Sequence, residues 1–154
     1  MYYTIRFQIK PFLAEYLYGR FANSTTEGVI HLPPRSYLSN SLHELLNKRP
    51  FNAPARETGN LCLRLPNPHR GQSPASYNYL TRNNIRVFEN RVQHLFHTEL
   101  FDRMLTDRRR QGISYIESVR LFIERYHIEK ISEEGLLKAF WRWRKEAQQI
   151  PPHG

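Results

Sequence analysis

The sequence predicts an α+β protein: a small three-stranded sheet with helices in residues 1–74, then an all-helical half, residues 75–154, that ends in a helix-turn-helix-like pair. Three observations carry this. Residues 3–10 alternate apolar and polar side chains, two further short strand-like runs precede residue 66, and beyond Thr81 apolar residues recur three and four apart. A chain of 154 residues is long enough for one core of ordinary size.

The first strand places Tyr3, Ile5, Phe7 and Ile9 on one face against Thr4, Arg6, Gln8 and Lys10 on the other. Pro11 closes it and opens a helix to Phe21, with Leu13, Tyr16, Leu17 and Phe21 at helical spacing. Gly28 to Leu32 reads as a second strand, stopped by Pro33 and Pro34. Ser36 is placed to cap a helix to about Lys48, on an apolar stripe of Tyr37, Leu38, Leu42, Leu45 and Leu46. A Pro-, Asn- and Gly-rich stretch follows, holding a third strand over Asn60 to Leu65, with a connector around Pro66 to Pro74.

In the second half Thr81 to Arg110 carries Ile85, Phe88, Val92, Leu95, Phe96, Leu100, Met104 and Leu105 in a drifting three-and-four pattern, with Gly112 as a stop. A helix of that length spans about 45 Å and is expected to bend or break near Asn83 and Asn84. Ser114 and Glu117 have capping-box spacing ahead of Tyr115, Ile116, Val119, Phe122, Ile123 and Tyr126. After a turn from His127 to Ile131, Ser132 caps the last helix; Ile131 and Leu136 stand as a hydrophobic staple, and Glu133 and Glu134 in the first turn.

The charge is one-sided. There are 23 basic and 14 acidic residues, a formal net charge of +9, and 18 of the basic residues are arginine. Arginine presents a planar fork of donors that fits phosphate and guanine edges, so the skew points to a polyanionic partner. The surplus lies in both halves, which argues against a detachable basic arm. Cys62 is the only cysteine, which excludes an intrachain disulfide and a thiolate metal cluster; it reads as a small buried hydrophobe. No window has the apolar length of a membrane span and the N-terminus lacks a signal-peptide core, so the expectation is a cytoplasmic protein without membrane contact.

The densest constellation is Lys138-Ala139-Phe140-Trp141-Arg142-Trp143-Arg144-Lys145. On a helical wheel Leu136, Phe140, Trp143 and Ala147 share a face expected to pack on Tyr115, Val119 and Phe122, while Lys138, Arg142 and Lys145 share another. That second face suits a groove or phosphates, or simply complements the helix dipole; Trp141 and Trp143 either fill the core or, for a Trp141 off the packed face, leave an indole available for a sugar, a base or a protein partner. Arg103, Arg108, Arg109 and Arg110, near the end of the long helix, suit backbone positioning, or simply complement the helix dipole alongside a Glu99–Arg103 pair. Arg64, His69 and Arg70, in or beside the connector, are placed for a mobile phosphate contact, with solvated loop charge the favoured reading.

Catalytic signals are sparse. Asp102, Asp107 and Glu99 form the one tight acidic cluster on the long helix and alternate with arginines; His94 and His97 lack an evident third ligand; no phosphate-binding glycine loop or nucleophile elbow occurs. The expectation is a non-enzyme with neither cofactor nor metal.

The tail from Ile113 to Arg144, with its Ile116–Phe122 core, its Tyr126-His127-Ile128 turn and its Leu137–Arg144 ending, resembles the C-terminal part of small proteins carried by phages and conjugative elements of Bacteroidetes. The opening Ile9-Lys10-Pro11-Phe12-Leu13-Ala14-Glu15-Tyr16-Leu17 is similar to their start. Those proteins are described as uncharacterised or as DNA-binding, so the resemblance implies a mobile-element setting and supplies no catalytic residues. Nucleic-acid binding, DNA before RNA, is the leading expectation. The alternative is a protein-interaction or structural module, a homo-oligomer included, that uses the aromatic and arginine-rich surface.

Overall fold

A computed structural model describes residues 2–66 and 73–148. Among these the chain forms an α+β fold with N-terminal strands and C-terminal helices. Strand β1, Thr4–Phe7, leads into helix α1, Pro11–Arg20, whose first turn carries the proline that needs no N–H partner there. A two-residue strand β2, Thr25–Thr26, pairs antiparallel with β3, Val29–Ile30. The turn between them uses Glu27 at φ 52° and Gly28 at φ 81°, the double positive φ that matches the twist of a hairpin. This strand is an addition to the three expected; a Glu-Gly pair signals such a turn more weakly than Asn-Gly.

Helix α2, Tyr37–Leu45, is capped by the Ser36 hydroxyl, which accepts from the Ser39 N–H at 3.2 Å. It ends before the expected Lys48, where the Asn47 N–H and carbonyl turn away to pair with Tyr79. Strand β4, Leu61–Arg64, then inserts between β1 and β3, antiparallel to the first and parallel to the second, giving the order β1-β4-β3-β2. The parallel pair exists because α2 carries the chain back across the sheet. Ile5 faces Leu63 and Phe7 faces Leu61, and all four are buried.

Helix α3, Arg82–Gln111, is the axis of the molecule. It runs unbroken through Asn83 and Asn84: Thr81 caps the Asn84 N–H at 3.0 Å, and the Asn84 amide donates to the Leu45 carbonyl at 2.8 Å. That tertiary bond removes the reason for a break. Phe88, Val92, Phe96, Leu100 and Met104, four apart, are fully shielded from solvent. Phe88 meets Phe7 of the sheet edge-on at 5.7 Å between centroids. One core cluster runs from Ile5 in β1 to Phe140 near the C-terminus.

Helices α4, Tyr115–Tyr126, and α5, Glu133–Gln148, form the closing pair. Gly112, at φ 67°, ends α3, and Ser114 caps α4 through the Glu117 N–H. Helix α1 packs on both α3 and α4. It approaches α4 closely because residue 19 is glycine: a Cβ there would fall 2.5 Å from the Tyr126 carbonyl oxygen. Among the described residues no helix is long and apolar enough to cross a membrane. Cys62 is buried in β4.

Candidate nucleic-acid interface

The orientation of α5 is set from below. Its turn begins at His127, left-handed at φ 55°, and Ile128 drops into the core. The Glu15 carboxylate of α1 then accepts the backbone N–H groups of Glu129 at 3.2 Å and Lys130 at 2.8 Å. Two orphan donors of the turn are thereby tied to another helix. Ser132 accepts the Gly135 N–H at 3.0 Å and starts α5.

With that anchor, α5 buries Leu136 and Phe140, and Phe140 contacts Tyr115 of α4 and Phe101 of α3. The other two residues expected on this face behave differently. Trp143 is 39% exposed and stacks on Phe101 of α3 at 5.0 Å rather than reaching Val119 or Phe122, and Ala147 is exposed, because α5 extends past the end of its partner surface.

The opposite face carries Lys138, Trp141, Arg142 and Lys145, all exposed. Lys138 forms a solvent-exposed pair with Glu134 at 3.5 Å, which screening makes weak. Trp141 is half exposed and meets Tyr115 edge-on at 5.5 Å. Arg144, absent from the sequence candidates, lies across this aromatic group: its Nη1 donates to the Tyr115 hydroxyl at 2.9 Å, and its guanidinium sits 5.9 Å from the Trp141 ring.

Tyr115 also receives the guanidinium of Arg108 at 5.7 Å, so the end of α3 is brought beside α5 through one ring. Arg109 and Arg110 follow in the last turn of α3. Both are exposed. Arg103 is not gathered with the rest. It shares a groove with Arg125 against Leu121 and Phe122, between α3 and α4. The expected Glu99–Arg103 pair does not form, because Glu99 binds Arg20 and the hydroxyls of Tyr16 and Tyr126 instead.

The acidic cluster of α3 is dispersed in the same way. Asp107 accepts the buried Ser118 hydroxyl at 2.8 Å, and Asp102 lies on the rim of the α3–α5 groove. Among the described residues no three His, Cys, Asp or Glu side chains are grouped to hold a metal. His97 stacks on Phe101 at 5.1 Å; burial, then the nearby charges of His94 and Lys10, hold its imidazole below the usual range. His69 and Arg70 lie outside the described residues.

The α3–α5 groove, about 430 Å³, has a floor of Phe101, Leu105, Ala139 and Trp143 with Arg142 at its edge. Comparison with known proteins returned no match among family models, curated proteins or solved structures.

Proposed function

We propose that this chain is a cytoplasmic, non-catalytic nucleic-acid-binding protein, with DNA before RNA as its partner, that serves regulation or maintenance of a mobile element. The observation that carries the reading is the sorting of α5: its apolar side is spent on Phe101 and Tyr115, while Lys138, Trp141, Arg142 and Lys145 share the solvent side. A core-filling helix has no need of an exposed indole among three cations. In this reading Arg142, Lys138 and Lys145 neutralise phosphates, and Trp141 lies on a sugar or base. Arg108, Arg109 and Arg110 extend the positive field from the end of α3, and Arg103 lies apart in the α3–α4 groove. Three phosphate contacts contribute a slope of about −2.7 in log affinity against log salt, about a 40-fold loss between 50 and 200 mM.

Anisotropy of labelled duplex DNA, single-stranded DNA and RNA, against a charge-matched basic control, tests this. Binding tighter than the control with that salt slope supports it. Binding equal to the control refutes it.

The apolar floor of the α3–α5 groove favours a second reading, a protein-interaction module in which a partner or second copy of the chain covers Trp143. A stable assembly by light scattering without nucleic acid would favour that reading.

A further inference from the structure

Far along the chain from α5, the loop after β3, the start of α2 and the end of β4 enclose a cleft of about 880 Å³. His31, Arg35, Ser39, Asn40, His43 and Arg64 line it, and no aspartate or glutamate belongs to its wall among the described residues. Neither Arg35 nor Arg64 forms an ion pair among those residues; Arg64 leans on the Tyr2 ring at 5.0 Å, which fixes its fork without neutralising it. Ser36 caps α2 between Arg35 and Ser39, so the positive end of the helix dipole adds to the same wall.

Arg35 is also held at φ 66°, a left-handed conformation that glycine or asparagine would adopt at lower cost.

We propose that this cleft binds a phosphate ester, the phosphate of a nucleotide or of a nucleic-acid strand. Two guanidinium forks, a hydroxyl, an amide and a helix start match the several oxygens of a phosphate better than the two of a carboxylate. The volume is that of a small-molecule site, so a bare phosphate leaves most of it empty and there is room for the sugar and base of an ester. The cleft shares no residue with the α5 face, so each stands without the other.

The test is a ¹H–¹⁵N titration of the full chain with a nucleoside 5′-monophosphate, and separately with a short single-stranded oligonucleotide, at fixed ionic strength. Saturable shifts are expected in the amides of residues 35–40 and in the Arg64 Nε–H. Arg35→Gly, whose backbone suits the positive φ, and Arg64→Gln should each weaken binding about tenfold or more. Arg142→Glu with Lys145→Glu should leave these shifts unchanged. Saturation by the mononucleotide identifies a free phosphate ester as the ligand; saturation by the oligonucleotide alone identifies a strand. Absence of saturable shifts with both, or shifts that survive both arginine substitutions, overturns the proposal.

Discussion

Arg144 donates from Nη1 to the Tyr115 hydroxyl at 2.9 Å, and this bond divides the cations of α5 into one held against aromatic rings and three that face water. The division predicts opposite phenotypes. Arg144→Gln should lower stability by about 1 kcal/mol in urea unfolding, through a lost hydrogen bond and ring contacts, with a small effect on nucleic-acid affinity. Arg142→Gln should leave the unfolding midpoint in place and weaken binding.

The two tryptophans should separate likewise. Trp143→Ala removes a ring stacked on Phe101 and should destabilise the protein by about 1–2 kcal/mol, as loss of a half-buried aromatic does. Trp141→Ala should change thermal stability by less and reduce affinity for single-stranded DNA by about 1–3 kcal/mol if the indole stacks on a base. Thermal melts beside anisotropy distinguish the pair; affinity unchanged in Trp141→Ala would take the indole out of the interface.

Glu99 joins three helices, accepting from Arg20 and Tyr16 of α1 and Tyr126 of α4, with the Tyr16 hydroxyl at 2.7 Å. Glu99→Leu takes the acceptor from two phenols and a guanidinium at once. A loss of about 2 kcal/mol is expected in urea unfolding, because the buried Tyr16 phenol is left without its acceptor while Arg20 and Tyr126 still reach water. Tyr16→Phe, which deletes the donor to Glu99 and one acceptor of the Arg20 guanidinium but leaves the carboxylate in place, should cost about 1 kcal/mol.

The same network sets a pH limit. Burial, then the Glu99 carboxylate, pushes the Tyr16 and Tyr126 phenols above their ordinary value of 10.0. A raised folded value means stability that is complete below pH about 10 and lost as the pH rises beyond it. His97 runs the other way: its lowered value gives stability present above pH about 6.5 and lost on acidification. Unfolding midpoints across pH should therefore fall at both ends, Tyr16→Phe flattening the alkaline limb and His97→Gln the acid one. Limbs unchanged in these variants would assign the pH dependence to other groups.

Much of the fold was legible because its signals are local. The caps at Ser36, Ser114 and Ser132 and the stop at Gly112 need only neighbours in sequence to act. What escaped notice depends on distant partners. Asn84 reads as a helix breaker until Leu45 receives its amide, and Glu99 reads as a surface partner of Arg103 until α1 brings Arg20 and Tyr16 to it. The solvent face of α5 followed from helical periodicity, yet Arg144 and Tyr115 went unmarked as a pair because a hydrogen bond across 29 positions has no sequence signature. The Arg35–Arg64 cleft is of the same kind, assembled by the β3-α2-β4 crossover.

The central claim is that α5 presents a phosphate-binding face. Its most direct test is the salt dependence of duplex-DNA anisotropy for the parent chain and for Arg142→Glu with Lys145→Glu, with circular dichroism confirming that both are folded. The account predicts weaker binding and a log–log slope shallower by about two units, one for each lost phosphate contact. Equal affinity and an unchanged slope would contradict it, leaving the charge of α5 as solvated surface.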